Sequence, residues 1–435
     1  VKFTLDETRF MRDTVARQLR APRFLRRAIR KTKSARAALS PRAPLRRSPS
    51  GFRKRRANAR GAIANDRVGD RASAPLLVWV LVPQVESDDP TIQYYYDFST
   101  GEAEFDRAFA ALDLEYRWQP VTMASFRDVI DRIPAESRDR RPVVFNLCDG
   151  DEINGCPGLS VVRYLDQSGL PYTGADEHFY DITTSKITMK SAFEAACVPT
   201  SPWEVIPATA KRVPGIFSRI PAPIILKPAV SAGSMGIGCK NVVSTPRELH
   251  EQLATLREGV HGWSLAEGGL FVERFVDGPE FTTFIVGNAR AYDQAIVYPA
   301  VERVFNRNLP PTERFLSFDR LWEFYEREAP VGAGEDLWQY APAPAELRER
   351  LHDVSWAAYE AVGGTGYGRV DLRMDARTGD LLVLEVNAQC GLSEDENITS
   401  IGAVIRFAGT TYAAVVQAIL HEALRHAEAQ VRLAS

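Results

Sequence analysis

Four polar residues in two short apolar runs could do chemistry together: Arg369 and Asp371 in residues 369–374, Glu385 and Asn387 in residues 381–387. Thr378-Gly379-Asp380 between the runs is turn chemistry, so the pair reads as a β-hairpin. Residues two apart in a strand share a face, which aims Arg369 with Asp371 and Glu385 with Asn387. Val370, Leu372, Met374, Leu382, Leu384 and Val386 then line the opposite, buried face. Matching the polar faces sets Asp371 opposite Glu385 and Arg369 opposite Asn387. Like charges in register destabilise a sheet, so this pairing calls for a neutraliser. Two carboxylates and an amide oxygen are hard ligands that suit a divalent cation such as Mg2+. The plain alternative is a surface Arg369–Asp371 pair with Glu385 solvated at an edge, and the hairpin by itself leaves both readings open.

A second group could hold phosphate. Lys227 ends the apolar run Ile224-Ile225-Leu226 and precedes Ser231-Ala232-Gly233-Ser234-Met235-Gly236-Ile237-Gly238. Glycines let a backbone approach phosphate oxygens and present N–H groups to them, and Ser234 adds a hydroxyl. The spacing matches neither the P-loop nor Gly-x-Gly-x-x-Gly, and a small glycine-rich turn is more often only a turn. In Val272-Glu273-Arg274-Phe275-Val276-Asp277-Gly278-Pro279-Glu280-Phe281 a strand exits into a Gly-Pro turn and restarts. Backbone groups near Arg274 and Val276 are left to meet a planar heterocycle. Glu280 is placed for sugar hydroxyls, or is an ordinary exposed hairpin glutamate.

These residues need elements to hold them. A core strand is expected over 76–82 and another over 142–147, with helix over 103–112 between them, which makes an open α/β unit. Helix is expected over 161–168, then a strand or turn over 169–174. A helix over 184–196 carries Lys186 and Lys190 one turn apart. Strands follow at 224–227, 270–276 and 281–286. Residues 299–344 contain Pro310-Pro311 and weak periodicity, and read as a long excursion over a site. A final amphipathic helix packs Tyr412, Val415, Val416, Ile419, Leu420 and Leu424 into a core.

Composition is that of a soluble globular chain, 45% hydrophobic and 25% charged, long enough for two or three domains. The charge is unevenly spread. Residues 1–75 hold 22 Lys/Arg against 5 Asp/Glu, a net of +17, leaving 32 against 51 for the rest. This basic arm lacks the aromatics of a core and is expected to be of low order. A solvated tail is the favoured reading; binding to nucleic acid or an anionic membrane, and organelle targeting, stay open. Interleaved aromatics for single-strand binding are missing, so nucleic acid is disfavoured. The five cysteines show no metal or redox spacing, which points to a reducing, cytoplasmic setting. The longest apolar run is too short to cross a bilayer, and no membrane partner is expected.

Taken in order, Gly169-Leu170-Pro171-Tyr172-Thr173-Gly174, Lys190, Ile225-Leu226-Lys227-Pro228 with its glycine loop, the Glu273–Glu280 strand-turn, Gly368-Arg369-Val370-Asp371 and Leu384-Glu385-Val386-Asn387 resemble the ATP-grasp superfamily. Within it they are most similar to the D-alanine–D-alanine ligase branch, over about residues 143–420. The resemblance implies a three-lobed ATP-grasp fold of α/β and α+β lobes. Its parts would be a basic arm at 1–75, an α/β domain at 76–183, one ATP-clamping lobe with the glycine loop at 184–266, and a second with the metal hairpin at 267–435. It implies ATP and Mg2+ (or Mn2+) as cofactors. Lys190 and Lys227 would bind phosphate together with Gly233, Ser234 and Gly236. Glu273, Arg274 and Val276 would hold adenine and Glu280 the ribose. Asp371, Glu385 and Asn387 would bind metal, and Arg369 would steady a tetrahedral intermediate.

Departures from the branch point to other substrates. A histidine there follows the strand that matches 143–147; here Cys148-Asp149-Gly150 stands, and Asp149 takes its place. A glutamate motif near the start has no evident counterpart after Val82. The loop's first hydroxyl position is Gly233. Cys390 replaces a usual proline before Gly391, and reads as a small buried hydrophobe rather than a nucleophile. The serine that meets the second substrate's carboxylate is replaced within Glu394-Asp395-Glu396. Asp149 and Gly391 are thus the candidate substrate residues, and the acids at 149–152 and 394–396 favour a cationic partner unless arginines such as Arg303 or Arg307 balance them. The expected activity is an ADP-forming ligase that joins a small carboxylate and an amine, both amino acids, through an acyl phosphate. A non-catalytic ATP-binding scaffold and a ligase acting on peptide or protein ends are the alternatives, and a homodimer is left open.

Overall fold

The computed structural model describes residues 74–87, 97–260, 262–322, 328–329, 331–332 and 335–434. The basic arm expected over 1–75 lies outside the described residues except for its last two positions. Two compact units are distinguished: residues 71–318 with 331–435, and residues 1–70 with 319–330. Within the described part of the smaller unit the Glu328 amide donates to Asp319 at 3.1 Å and Arg320 pairs with Glu328.

The apolar run that reads as a core strand forms β1 (Leu76–Pro83), the middle of a parallel sheet with β2 (Glu115–Val121) and β3 (Arg141–Asn146) in the order β2-β1-β3. A central parallel strand is covered on both faces, which is why its hydrophobicity is continuous rather than alternating. Helix α1 (Ser99–Ala111) covers one face, where Val78, Val80 and Val82 meet Phe105, Phe109 and Phe145. Helix α2 (Phe126–Glu136) and helix α3 (Leu159–Ser168) cover the other, where Leu77, Trp79 and Leu81 meet Phe126, Ile130, Ile133 and Leu165. The expected α/β unit is present, with β2 as an added edge strand. The helix expected over 184–196 is present as Lys186–Ala195, and an unexpected helix precedes it across an extended Ser185; in chain order these are α4 (Glu177–Thr184) and α5 (Lys186–Ala195).

A four-stranded antiparallel sheet follows: β4 (Trp203–Ile206), β5 (Ile224–Pro228), β6 (Val242–Val243) and β7 (Leu270–Arg274), in the order β4-β7-β5-β6. Strand β7 lies beyond the expected lobe boundary at 266, so this sheet takes strands from both sides of it. Helix α6 (Pro246–Glu258) begins with a reciprocal cap in which Thr245 Oγ1 accepts from the Glu248 amide and the Glu248 carboxylate accepts from the Thr245 amide.

The third sheet is built from β8 (Glu280–Val286), β9 (Ile296–Val297), β10 (Val301–Phe305), β11 (Trp338–Pro342), β12 (Tyr367–Met374) and β13 (Leu381–Ala388). Its order is β11-β10-β8-β12-β13, with β9 also on β8. The excursion expected over 299–344 therefore begins and ends as paired strands. Helices α4, α5 and α7 (Arg348–Ala361) bring their apolar sides to the sheet's buried face. Helices α8 (Ser400–Ala408) and α9 (Tyr412–Ala434) return to the parallel sheet, adding Ile401, Val404, Val415, Val416 and Ile419 to the core of α1 and β1. Among the described residues no single helix is long and apolar enough to cross a membrane.

The turn from β7 to β8 is tightly enclosed. Gly278 has φ +142°, and a Cβ built there would lie 2.0 Å from the Met374 carbonyl oxygen. Gly278→Ala should therefore lower stability by about 1–3 kcal/mol, read as a drop in the urea midpoint; an unchanged midpoint would show that the turn can open without cost.

Candidate functional site

Strands β12 and β13 pair with Arg369 opposite Asn387 and Asp371 opposite Glu385, the register expected from matched polar faces. The buried face differs from expectation. The register slips between Asp371 and Leu372, which then faces Val383, and Leu384 becomes the extra residue of a β-bulge. Leu381 and Val383 join Val370, Leu372 and Val386 in the core, while Leu384 is only half-buried. The bulge thus sits directly beside the facing carboxylates.

Neutralisation of those carboxylates comes from several strands. Arg369 donates Nε to Asp371 Oδ2 at 3.0 Å, Thr282 donates to Asp371 Oδ1 at 2.7 Å, and Lys186 Nζ lies 3.4 Å from Glu385 Oε2. The Asn387 amide nitrogen bridges Asp371 at 3.0 Å and Glu385 at 3.2 Å. Burial resists ionisation of Glu385, but Lys186, Lys227 and Arg369 outweigh it and hold its carboxyl below the usual range. A half-turn of the Asn387 amide exchanges its nitrogen for its oxygen. Three oxygens then converge, a hard donor set that fits a divalent cation of the magnesium kind.

Beside this hairpin, Glu273 on β7 takes Lys190 from α5 and Lys227 from β5, each 2.6 Å away. Lys190 and Glu273 are each only about 1% exposed, and Lys190 also donates to Thr200 Oγ1 at 2.8 Å. Burial works against the Glu273 charge, yet the two lysines draw its carboxyl down to about 2. Glu273, expected to hold adenine, is the counter-ion of two lysines in this structure. The Arg274 backbone is engaged as well, its N–H donating to the Pro202 carbonyl and its carbonyl accepting from Ser201 Oγ, while the Val276 carbonyl accepts from Arg373. Each carbonyl keeps a second lone pair for a heterocycle.

The glycine loop carries positive φ at Gly233 (53°), Ser234 (62°) and Gly236 (72°). Asn241, only 2% exposed, pins it: its Nδ2 donates to the Leu226 and Gly236 carbonyls, and its Oδ1 accepts from the Gly238 amide. Lys186 ties the same loop to the hairpin, donating to the Ser231 carbonyl at 2.7 Å while it faces Glu385. Neither Asn241 nor Lys186 had an assigned role in the sequence; the only signal was the one-turn spacing of Lys186 from Lys190.

Glu280, expected to hold the ribose, is not an exposed hairpin glutamate. It is 6% exposed, with Arg303 on Oε1 and Arg373 donating Nε to Oε2 at 3.0 Å. Burial opposes its charge, but the two arginines hold its carboxyl below the ordinary range. Tyr340 accepts from Arg303 at 3.0 Å. Arg373 was legible in principle, since it stands two residues beyond Asp371 on the same strand face. Arg303 was not, because it occupies an inward position of β10 that would otherwise be apolar.

The acids expected to face a substrate are mostly committed elsewhere. Asp151 caps a short turn through the Ile153 amide, and Glu152 accepts from the Ser160 amide and hydroxyl at the start of α3. Glu394 pairs with Arg107, Glu396 with Arg406, and Asp395 accepts from the Asn397 amide. The balancing arginines are therefore Arg107 and Arg406, not Arg303 or Arg307. Asp149 remains. The residue is exposed, yet desolvation by the protein around its carboxyl raises it to about 6. Cys390 is 5% exposed and burial pushes its thiol up to about 12, which makes it inert at neutral pH. Gly391 is exposed, and a Cβ there would meet only the Thr399 methyl at 3.8 Å, so packing does not require glycine.

Removing the charge of Glu273 strands two ammonium groups, one of them fully enclosed. Glu273→Gln should cost about 3–5 kcal/mol in urea unfolding. Adding Lys190→Met should recover part of that loss; a double variant no more stable than Glu273→Gln would show that Lys190 is not what Glu273 neutralises.

Residues 193–421, more than half of the chain, match the family model described as D-ala D-ala ligase C-terminus. The D-alanine–D-alanine ligase B of Xanthomonas campestris pv. campestris is 23% identical over 74% of this chain and 96% of its own length. The D-alanine–D-alanine ligase of Marinobacter nauticus is 28% identical over 60% and 69%. The crystal structure of the D-alanine–D-alanine ligase of Bacillus anthracis complexed with ATP superposes with a TM-score of 0.56 at 18% identity, over 82% of this chain and all of that one, which shows a shared fold. By that fold and by the family match, the chain belongs to the D-alanine–D-alanine ligase family, the ADP-forming carbon–nitrogen ligases of ATP-grasp architecture.

Proposed function

We propose that the chain binds ATP with Mg2+ and joins the carboxylate of one amino acid to the amine of another through an acyl phosphate. The observation that carries this reading is a field of charge on one face of the third sheet and its neighbours. Lys186, Lys190, Lys227, Arg303, Arg369 and Arg373 stand against Glu273, Glu280, Asp371 and Glu385, an excess of two positive charges. An excess of cations in a partly dehydrated cleft suits a polyanionic triphosphate. Asp371, Glu385 and Asn387 are the residues that would hold the metal, whose chemistry is to neutralise charge on the transferring phosphoryl group.

The chain's own residues supply position and charge. Lys227 is 15% and Lys186 12% exposed at the side chain, so both ammonium groups can be reached from the cleft, while Lys190 holds Glu273 from behind. The substrate carboxylate attacks the terminal phosphorus, the bond to the bridging oxygen breaks, and ADP leaves with the electron pair. The amine then adds to the acyl carbon, loses a proton to solvent, and expulsion of phosphate leaves the amide. Arg369, with a side chain 22% exposed and anchored by Asp371, is oriented to meet the oxyanion formed at that addition. A scaffold without turnover has no need of paired carboxylates held this close together, and the ligase reading is favoured over it.

Two measurements follow. The nucleotide product should be ADP with phosphate; stoichiometric AMP and pyrophosphate would sink the acyl-phosphate route. Asp371→Asn and Glu385→Gln should each lower turnover by at least about two orders of magnitude with the fold retained. Turnover close to wild type in both would remove them from the catalytic centre.

A further inference from the structure

Two buried side chains hold the chain just past the strand that carries Glu385 and Asn387, and neither belongs to the charged pairs of the site. Gln389 follows the last residue of β13, is 1% exposed and has φ +51°, a left-handed conformation uncommon for a residue with a side chain. Such an outlier persists where its surroundings over-determine it. Gln389 Nε2 donates to the Cys148 carbonyl at 3.0 Å, and its Oε1 accepts from Asn146 Nδ2 at 3.4 Å, both at the end of β3. Its amide donates to the Tyr367 carbonyl at 3.1 Å. Gly174 gives the side chain room, since a Cβ there would run into Gln389 Oε1. Glu104 on α1 grips the same segment four residues on. It is 3% exposed and accepts from Ser393 Oγ at 2.9 Å and from the Glu394 amide at 3.3 Å. Ser393 Oγ accepts in turn from the Asp395 amide at 3.0 Å. Between the two grips Gly391 is exposed, and among the described residues neither its amide nor that of Leu392 donates a hydrogen bond.

We propose that Gln389 and Glu104 are positioning residues for amide formation, tying residues 390–394 to β3 and α1 so that the free Gly391 and Leu392 amides keep a fixed place relative to Arg369. The proposal rests on the ligase reading above. Strand β13 ends at Ala388 and α8 begins at Ser400, so no sheet or helix restrains this segment and side chains must. The precision matters, because displacing a group at a reacting centre by about 1 Å can cost about 100-fold in rate. Neither grip touches Lys186, Lys190 or Lys227, so nucleotide binding does not depend on them.

The test uses the full-length protein and two readouts: hydrogen exchange at the Gln389, Glu394 and Asp395 amides, and ADP release with ATP, Mg2+ and a pool of the standard L-amino acids with D-alanine. Gln389→Gly keeps the left-handed backbone without strain and removes only the grip. Gln389→Gly and Glu104→Ala should each speed exchange by at least about 10-fold, the effect of losing a buried hydrogen bond. Each should lower kcat/KM for the active amino acids by about 10- to 100-fold and leave KM for ATP unchanged. Glu104→Gln, which offers an acceptor to the Glu394 amide and a donor to Ser393 Oγ, should recover most of the loss seen in Glu104→Ala. Unchanged exchange in both Gln389→Gly and Glu104→Ala would show that the grips do not hold the segment. Faster exchange with an unchanged amino-acid kcat/KM, or with an equal rise in KM for ATP, would make the grips structural only and overturn the positioning role. A wild-type protein that releases no ADP with any amino acid would overturn the ligase reading and the positioning role with it, while exchange would still decide whether the grips hold.

Discussion

The arrangement depends on one requirement: carboxylates placed on the inner face of a sheet must be answered by cations from the same strand, the next strand or the helix packed beside it. Cross-strand neighbours are the closest partners a sheet offers, and the third sheet uses them in rows. Arg303, Glu280 and Arg373 form one row across β10, β8 and β12; Thr282, Asp371 and Glu385 form the next across β8, β12 and β13. The first row carries one net positive charge and the second two negative ones, which Arg369 and Lys186 answer from beside it, and this permits so much charge in a half-buried setting. The four-stranded sheet repeats the device with Glu273 between Lys190 and Lys227.

Positioning of these rows comes from irregularities rather than from regular structure. The bulge at Leu384 restores the apolar face after Glu385 and keeps the two carboxylates together. Ser185 interrupts what would be one long helix, and the hydroxyls of Thr183 and Thr184 bond back to the Phe179 and Tyr180 carbonyls just before the break. Past that interruption α5 carries Lys186 to Glu385 and Lys190, one helical turn on, to Glu273. Asn241 performs the comparable service for the glycine loop.

The hairpin was legible because a period of two assigns faces and register without further information, and the family resemblance rested on motif order that the comparisons bear out. What escaped the sequence had physical causes. Strand β2 reads Glu-Tyr-Arg-Trp-Gln-Pro-Val, the polar face of an edge strand, with no apolar run to betray it. Strand β10 shows no alternation because Arg303 points inward among Val301 and Phe305, a place that Glu280 and Tyr340 make tolerable. The engagement of Glu273 and Glu280 by cations depends on contacts between segments distant in sequence, which spacing cannot report. The acids at 394–396 showed the opposite error: a charge run suggested a site, and surface arginines account for it.

The first sheet does not close its own core. One face of β1 and β3 packs with α1 against α8 and α9, with Tyr412 stacked edge-on against Phe105. During synthesis that face must wait for helices that emerge about three hundred residues later, a delay on the order of tens of seconds at ordinary translation rates. Until then the aromatic surface of Phe105, Phe109 and Phe145 has no permanent cover. The nascent chain therefore carries an unfinished domain for most of its time on the ribosome, and its final fold is sealed by the C-terminal helices rather than assembled in order from the N-terminus.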